Sequence, residues 1–336
     1  MNAELERIWH WRATALVAIA LFFAGILAIG FGPVHLGFFK ILKTIVGLDG
    51  GLSEQDRTLL FQIRLPRVAL AALVGSALAT SGAVYQTVFR NPLADPYLLG
   101  AASGAGLGAT IAILGGQSGF RAALPLFAFL GGVLAVFATF FISGSFYADP
   151  RSLLLAGIAV GSFATAIQTY LHQRNSAVLR TVYSWILGEL TVADWSTVKW
   201  ASIYISFSLL ILYAIAKPLD GLMLSDEEAY SLGINPNRIR IIAVAASTLA
   251  TATAVSASGL IGFVGIVVPH LVRGMMHRAT NRALFTVSLA GAAFLVLADL
   301  GARTLLSPAE LPIGVLTAFV GAPFFLFVLR ARRLQP

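Results

Sequence analysis

The sequence contains no cysteine. Disulfides, thiolate nucleophiles and cysteine-based metal sites are thereby excluded, and the redox character of the compartment stays open. Charge is scarce as well. Only 11% of the 336 residues are Asp, Glu, Lys or Arg, against about 25% in an ordinary soluble domain. Apolar residues make up 58% of the chain, and the mean hydropathy is +0.84. A soluble enzyme does not have this composition. A disordered chain needs the opposite one, with low hydrophobicity and high charge. The class that remains is a polytopic membrane protein. The alternating apolar and polar segments of a membrane barrel are missing too. The apolar runs are continuous, so the spans are helical.

A membrane-crossing helix needs about 20 mostly apolar residues. Uncharged runs cover 13–39, 68–89, 96–120, 122–148, 152–171, 200–216, 241–269, 283–298 and 311–329. The run 241–269 is too long for one straight span, and Ser256-Ala257-Ser258-Gly259 offers a turn within it. Divided there, the runs give about ten spans, an all-α polytopic fold in one transmembrane domain over 1–336. The first run exceeds the roughly 7–15 apolar residues of a cleavable signal, so it reads as a span behind a short polar tail, Met1–Arg12. Gly100, Ser103, Gly104, Gly106 and Gly108 give the third span a surface suited to close helix packing. The GxGxG they contain lacks the soluble strand that a nucleotide-binding loop requires.

The net charge of +8 comes from 23 basic and 15 acidic residues. In a membrane protein such an excess points to the positive-inside bias rather than to nucleic acid. With the N-terminus in the cytoplasm and ten spans, thirteen of the basic residues fall inside: Arg7, Arg12, Arg90, Arg151, Lys217, Arg238, Arg240, Arg273, Arg278, Arg282, Arg330, Arg332 and Arg333. The other ten lie outside: Lys40, Lys43, Arg57, Arg64, Arg67, Arg121, Arg174, Arg180, Lys199 and Arg303. Both termini are then cytoplasmic. No P-loop, GxSxG or HExxH occurs, so energy for uphill transport must come from a partner or an ion gradient.

Three segments are unusual for lipid-embedded sequence. The first combines Arg64-Leu65-Pro66-Arg67 with Gly82–Gln86 and the stretch Phe89–Pro96, where Pro92 and Pro96 bracket a helix break. The second is Leu224–Pro236, in a cytoplasmic loop at 217–240. Ser225 with Glu228 forms the S-x-x-E capping box of a short helix. Asp226 and Glu227 suit its positive first turn, and Gly233 suits its C-terminal cap. The third is Gly259–Arg273, followed by Ala298–Arg303, Glu310–Gly314 and Gly321–Phe325.

With these strings the chain resembles the permease subunit of type II ABC importers, the FecCD-type family that takes up iron chelates, haem and vitamin B12. The matching stretches are RLPR, SGAVYQTVFRNPLADPYLLG, EEAYSLGI, GLIGFVGIVVPHLVR and ELPIGVLTAFVGAPFF. They lie in order from about residue 55 to 330; the first 50 residues match only as a span. The resemblance implies ten helices, a homodimer around a central pathway in the cytoplasmic (inner) membrane, two cytoplasmic ATPase subunits and an extracytoplasmic substrate-binding protein. It implies no cofactor on this chain, because ATP and Mg belong to the partner ATPase.

The resemblance also implies roles for particular residues. Arg64, Arg67 and Arg303, at outer span ends, would receive acidic residues of the binding protein; lipid anchoring, or pairing with Asp299 or Glu310, is the competing role. Ser225, Asp226, Glu227, Glu228, Ala229, Leu232 and Gly233 would form the helix that couples to the ATPase, with Glu228, Ala229 and Gly233 carrying the family's pattern. Spans 2, 3, 5 and 10 would line the pathway, and Thr80, Tyr85 and Gln86 on the second span are candidates to face it. His172 and His270 are more plausible as structural residues than as haem ligands. The substrate implied is a ferric siderophore or haem, with vitamin B12 as the alternative. An ion-coupled carrier is a remote one, because such carriers place ionisable residues mid-membrane and the centres of these runs are nearly free of charge. An intramembrane enzyme would need a convergent catalytic set, and none is visible.

Overall fold

A computed structural model describes residues 3–32, 37, 40, 41, 43, 51–115, 123–144, 150–176, 179–191, 193–276 and 283–333. Arg121, Arg278 and Arg282 of the charge census lie outside the described residues. The helices, in chain order, are α1 Ala3–Gly30, α2 Glu54–Thr58, α3 Leu65–Val88, α4 Ala101–Leu114, α5 Leu124–Ile142, α6 Pro150–Arg174 and α7 Leu179–Ile186. They continue with α8 Trp195–Ala214, α9 Ala216–Gly221, α10 Asp226–Ser231, α11 Pro236–Ser258, α12 Val264–Met275, α13 Leu284–Thr304 and α14 Ile313–Arg333. A π-helical turn, Leu59–Arg64, joins α2 to α3. Among the described residues there are seven helices long and apolar enough to cross a membrane, and three shorter apolar ones, Ala101–Leu114, Val264–Met275 and Ile313–Val328. Each of the ten expected spans corresponds to one of these helices, seven of spanning length and three shorter.

Local chemistry explains most of the boundaries. Gly259 ends α11 with φ 70°, in the expected Ser256–Gly259 break. A Cβ there would lie 2.1 Å from the Trp185 carbonyl oxygen, so only glycine fits. Two boundaries differ from the sequence reading. Helix α1 runs back through the tail to Ala3, because no Gly or Pro interrupts Ala3–Arg12. The second span begins at Glu54 rather than near 68. There Ser53 and Asp56 form a capping box that starts a helix well before the uncharged run.

Helix α3 is the hub. It packs against α13 most extensively, and also against α11, α12 and α8. Small residues bring these helices into backbone contact. A Cβ on Gly75 would sit 2.2 Å from the Gly291 carbonyl oxygen on α13, and one on Gly82 would sit 2.1 Å from the Gly265 carbonyl oxygen on α12. The third span shows the same device, with Gly104 against Gly131 of α5. In lipid, where apolar burial gives little drive for helix association, such close approach lets van der Waals packing hold the helices together, beside the hydrogen bonds between them.

Gly75→Ala is therefore expected to force α3 and α13 apart at a cost of about 1–3 kcal/mol. Gly25, with nothing within 4 Å of a Cβ, is the control site. Thermal unfolding in detergent should show a lowered melting temperature for Gly75→Ala and none for Gly25→Ala; equal melting of the two would contradict the close contact.

Candidate functional site

Two clusters of charge lie at the ends of the spans. At the end the sequence reading places in the cytoplasm, α10 forms as its sequence dictates. Ser225 adopts an extended N-cap conformation and its hydroxyl accepts the Glu228 N–H at 3.2 Å. The Glu228 carboxylate accepts the Ser225 N–H at 3.0 Å and its hydroxyl at 2.9 Å. These bonds hold the Glu228 carboxyl below the usual carboxylate range. That half of the cap is fully present above the ordinary range and is lost as pH falls through the lowered value. Gly233, at φ 76°, closes the helix: its N–H reaches the Tyr230 carbonyl at 2.9 Å, and the Ile234 N–H reaches the Ala229 carbonyl at 3.0 Å. This pair of bonds is a Schellman closure. Ala229 is buried against the body of the protein, while Glu227, Tyr230 and Leu232 are exposed. The helix thus presents an acidic first turn and two large apolar side chains on an open face.

At the opposite end the structure shows the internal pairing with Asp299 and Glu310. Arg64, Arg67 and Arg303, expected at outer span ends to receive acidic residues, have relative exposures of 3%, 8% and 3%. Arg67 donates from Nε to Asp299 at 2.9 Å and forks onto both oxygens of Glu310 at 3.2 and 2.9 Å. The Arg303 Nε stands 3.1 Å from the other Asp299 oxygen, at ion-pair distance but not aligned for a hydrogen bond. Arg303 also donates to the Ala28 carbonyl at 2.8 Å, and Arg64 donates to those of Ile29 and Gly30 at 2.7 and 3.1 Å. The physical reason is twofold. The last carbonyls of α1 have no partner within the helix and carry the negative end of its dipole. Asp299, only 1% exposed, needs counter-charge where water is excluded.

The expected pathway residues are also displaced. Thr80, Tyr85 and Gln86 are all buried inside the subunit. The Tyr85 hydroxyl lies 3.2 Å from that of Thr248 on α11. Gln86 donates to the Gly265 carbonyl at 3.0 Å and accepts from Arg273. The three side chains therefore point into the subunit, while the partly exposed stripe of α3 carries Leu65, Val68, Ala69, Ala72, Leu73 and Ser76. Among the described residues, two of the clefts at the subunit surface border the other expected spans. One, of about 890 Å³, lies between α4, α6 and the loop leading into α4, with Asp95, Ser103, Thr165, Thr169 and Gln173 on its walls. The other, of about 560 Å³, is apolar and lies beside α14, lined by Leu187, Leu260, Ala318 and Phe319. Spans 3, 5 and 10 of the expected four border these two clefts. Among the described residues no group of three or more His, Asp or Glu is placed to hold a metal ion.

The sequence profile of the FecCD transport family matches residues 19–331. The chain is 39% identical to the hemin transport system permease protein HmuU of Yersinia pestis, over 89% of this chain and 96% of that one. It is 38% identical to the cobalamin import system permease protein BtuC of Halobacterium salinarum, over 86% and 78% of the two chains. The Fe(3+)-citrate import system permease protein YfmE of Bacillus subtilis is 32% identical, over 95% and 94%. Among solved structures, an inward-facing putative metal-chelate type ABC transporter superposes with a TM-score of 0.84 at 29% identity, covering 95% of this chain and 99% of that one. The fold is that of an ABC importer permease.

The buried network generates a stability prediction. Asp299→Asn removes the carboxylate shared by Arg67 and Arg303 and leaves buried positive charge uncompensated. The expected loss is about 3–5 kcal/mol, read as a large drop in melting temperature of the detergent-solubilised protein. Unchanged melting would show that the arginines do not depend on this carboxylate.

Proposed function

The chain belongs to the FecCD transport family, and on that premise we propose that it is the permease subunit of an ATP-driven importer for iron chelates, a ferric siderophore or haem. The observation that carries this reading is the likeness, along 95% of the chain, to a metal-chelate type ABC transporter. Relatives named for ferric citrate and hemin agree with it. A relative named for cobalamin supports the second reading, a vitamin B12 permease of the same family. In either case the chain is a transport subunit and ATP is hydrolysed on a separate partner.

Two copies would pair around the pathway in the inner membrane, with both termini in the cytoplasm. The hydroxyl-lined cleft between α4 and α6 and the apolar cleft beside α14 would face that pathway. Ser225 to Gly233 would enter a groove of each ATPase, and the exposed Glu227, Tyr230 and Leu232 suit such a contact. At the outer end, a substrate-binding protein would meet the rim above Arg64, Arg67 and Arg303. Glu310 keeps 30% of its side chain exposed, so a carboxylate of the docked protein would reach Arg67 by displacing Glu310. Such contacts fix register and speed encounter more than they add affinity.

Reconstitution of the permease with its ATPase and binding protein in liposomes tests the reading. Ferric citrate, haemin and cobalamin are presented outside, with ATP within. ATP-dependent accumulation of an iron chelate is the expected result, unaffected by collapse of ion gradients. Accumulation of cobalamin alone would replace the first reading by the second. Uptake driven by an ion gradient without ATP would overturn both.

A further inference from the structure

Arg90 occupies a place in the fold that suits glycine. It follows the last turn of α3, where its N–H reaches the Thr87 carbonyl at 3.2 Å and the next N–H, that of Asn91, reaches the Gln86 carbonyl at 3.1 Å. This is again a Schellman closure, and Arg90 sits at its left-handed position with φ 48°. At the equivalent position after α10 the chain uses glycine, Gly233. A side chain in this conformation carries a steric penalty that glycine avoids. Strain kept at one residue is a reason to ask what its side chain does.

The side chain crosses to the segment that leads into α10. Its Nε donates to the Leu222 carbonyl at 2.7 Å, and one terminal nitrogen donates to the Leu224 carbonyl at 2.5 Å and the Asp226 carboxylate at 3.1 Å. The Leu222 carbonyl belongs to the end of α9 and has no continuing helix to pair with. The carboxylate of Asp226 is also 3.7 Å from Arg240, at the start of α11, whose guanidinium is anchored by Asn237. The Arg90–Asp226 pair is half exposed and worth little as an ion pair. The geometric constraint lies in the two carbonyl contacts. On its other side Arg90 is continuous with the Asn91–Asp95 turn, held by Asn91 through the N–H groups of Leu93 and Ala94. That turn runs into the loop that lines the larger cleft.

We propose that Arg90 is the positioning residue that ties the short acidic helix α10 to the junction of the second span with the cleft-lining loop, so that displacement of α10 moves that loop. The proposal rests on the reading of α10 as the ATPase contact.

The absence of cysteine makes the test direct, since single labels can be placed without background. Nitroxide labels go on Tyr230→Cys, on the exposed face of α10, and separately on Leu93→Cys, which is 39% exposed. The complex with its ATPase, in lipid nanodiscs, is compared with and without ATP for the wild type and for Arg90→Gly. Glycine relieves the steric penalty but removes the three contacts, two effects of opposite sign on stability, so the melting temperature of the variant is measured beside the wild type and Arg90→Lys to show that it folds.

The expected result has two parts. The Tyr230 label is immobilised by the ATPase in both proteins. The ATP-dependent change at Leu93, present in the wild type, falls at least about fivefold in Arg90→Gly. Arg90→Lys, which cannot reproduce all three contacts, should fall between them. An undiminished Leu93 response in Arg90→Gly, with Tyr230 still immobilised, would overturn the proposal and leave α10 as the ATPase contact. A Tyr230 label that the ATPase does not immobilise would overturn the reading of α10, and the proposal with it. No response at Leu93 in the wild type would remove the motion that Arg90 is said to carry.

Discussion

A carboxylate taken out of water must meet its counter-charge inside the protein, because neither lipid nor apolar side chains can supply one. Asp299 meets two, Arg67 from α3 and Arg303 one turn along its own helix. Arg67 spends its remaining donors on Glu310, and Arg303 and Arg64 spend theirs on the last carbonyls of α1. Four parts of the chain, α1, α3, α13 and the segment before α14, are thereby fixed to one another at one end of the bundle. The close contact of Gly75 with Gly291 continues the α3–α13 pairing into the span. Small residues permit the approach, and the ion network sets where along the helices it occurs.

The same helix ends in the second charged cluster. Arg67 lies near the start of α3 and Arg90 lies just past its last turn. Between them α3 is enclosed by α8, α11, α12 and α13. Packing on these sides opposes bending of α3. The polar groups along it serve this confinement. Tyr85 and Gln86 bond to α11 and α12 rather than to any open space. If α10 meets the ATPase and the rim at Arg67 meets a binding protein, as proposed, α3 is the element that joins the two contacts.

What was legible in the sequence follows the range of the interaction concerned. Apolar runs report spans because the thickness of the bilayer fixes their length, and each run holds a helix, although the first two helices begin well before their uncharged runs. The cap at Ser225 and Glu228 and the closure at Gly233 involve residues three or four apart, so the local pattern suffices. The break at Gly259 was readable for the same reason. The direction of the arginines was not. Arg67 finds Asp299 232 positions away, and no local signal states which way a guanidinium at a span end will turn. The burial of Thr80, Tyr85 and Gln86 depends on how many helices surround α3, which hydropathy does not encode. Arg90 stood in the unusual stretch Phe89–Pro96 and among the thirteen inner cations, with no role of its own. Its left-handed backbone was hidden because arginine carries no turn signal.

Linkage between the two ends of α3 is tested most directly by the affinity of the substrate-binding protein for the reconstituted complex, measured with and without ATP. If nucleotide and binding protein act on the same element, each must change the affinity of the other by the same factor. The structure predicts a shift of at least about fivefold in the wild type, reduced when Arg90 is replaced by glycine. An affinity that ATP leaves unchanged would contradict the linkage.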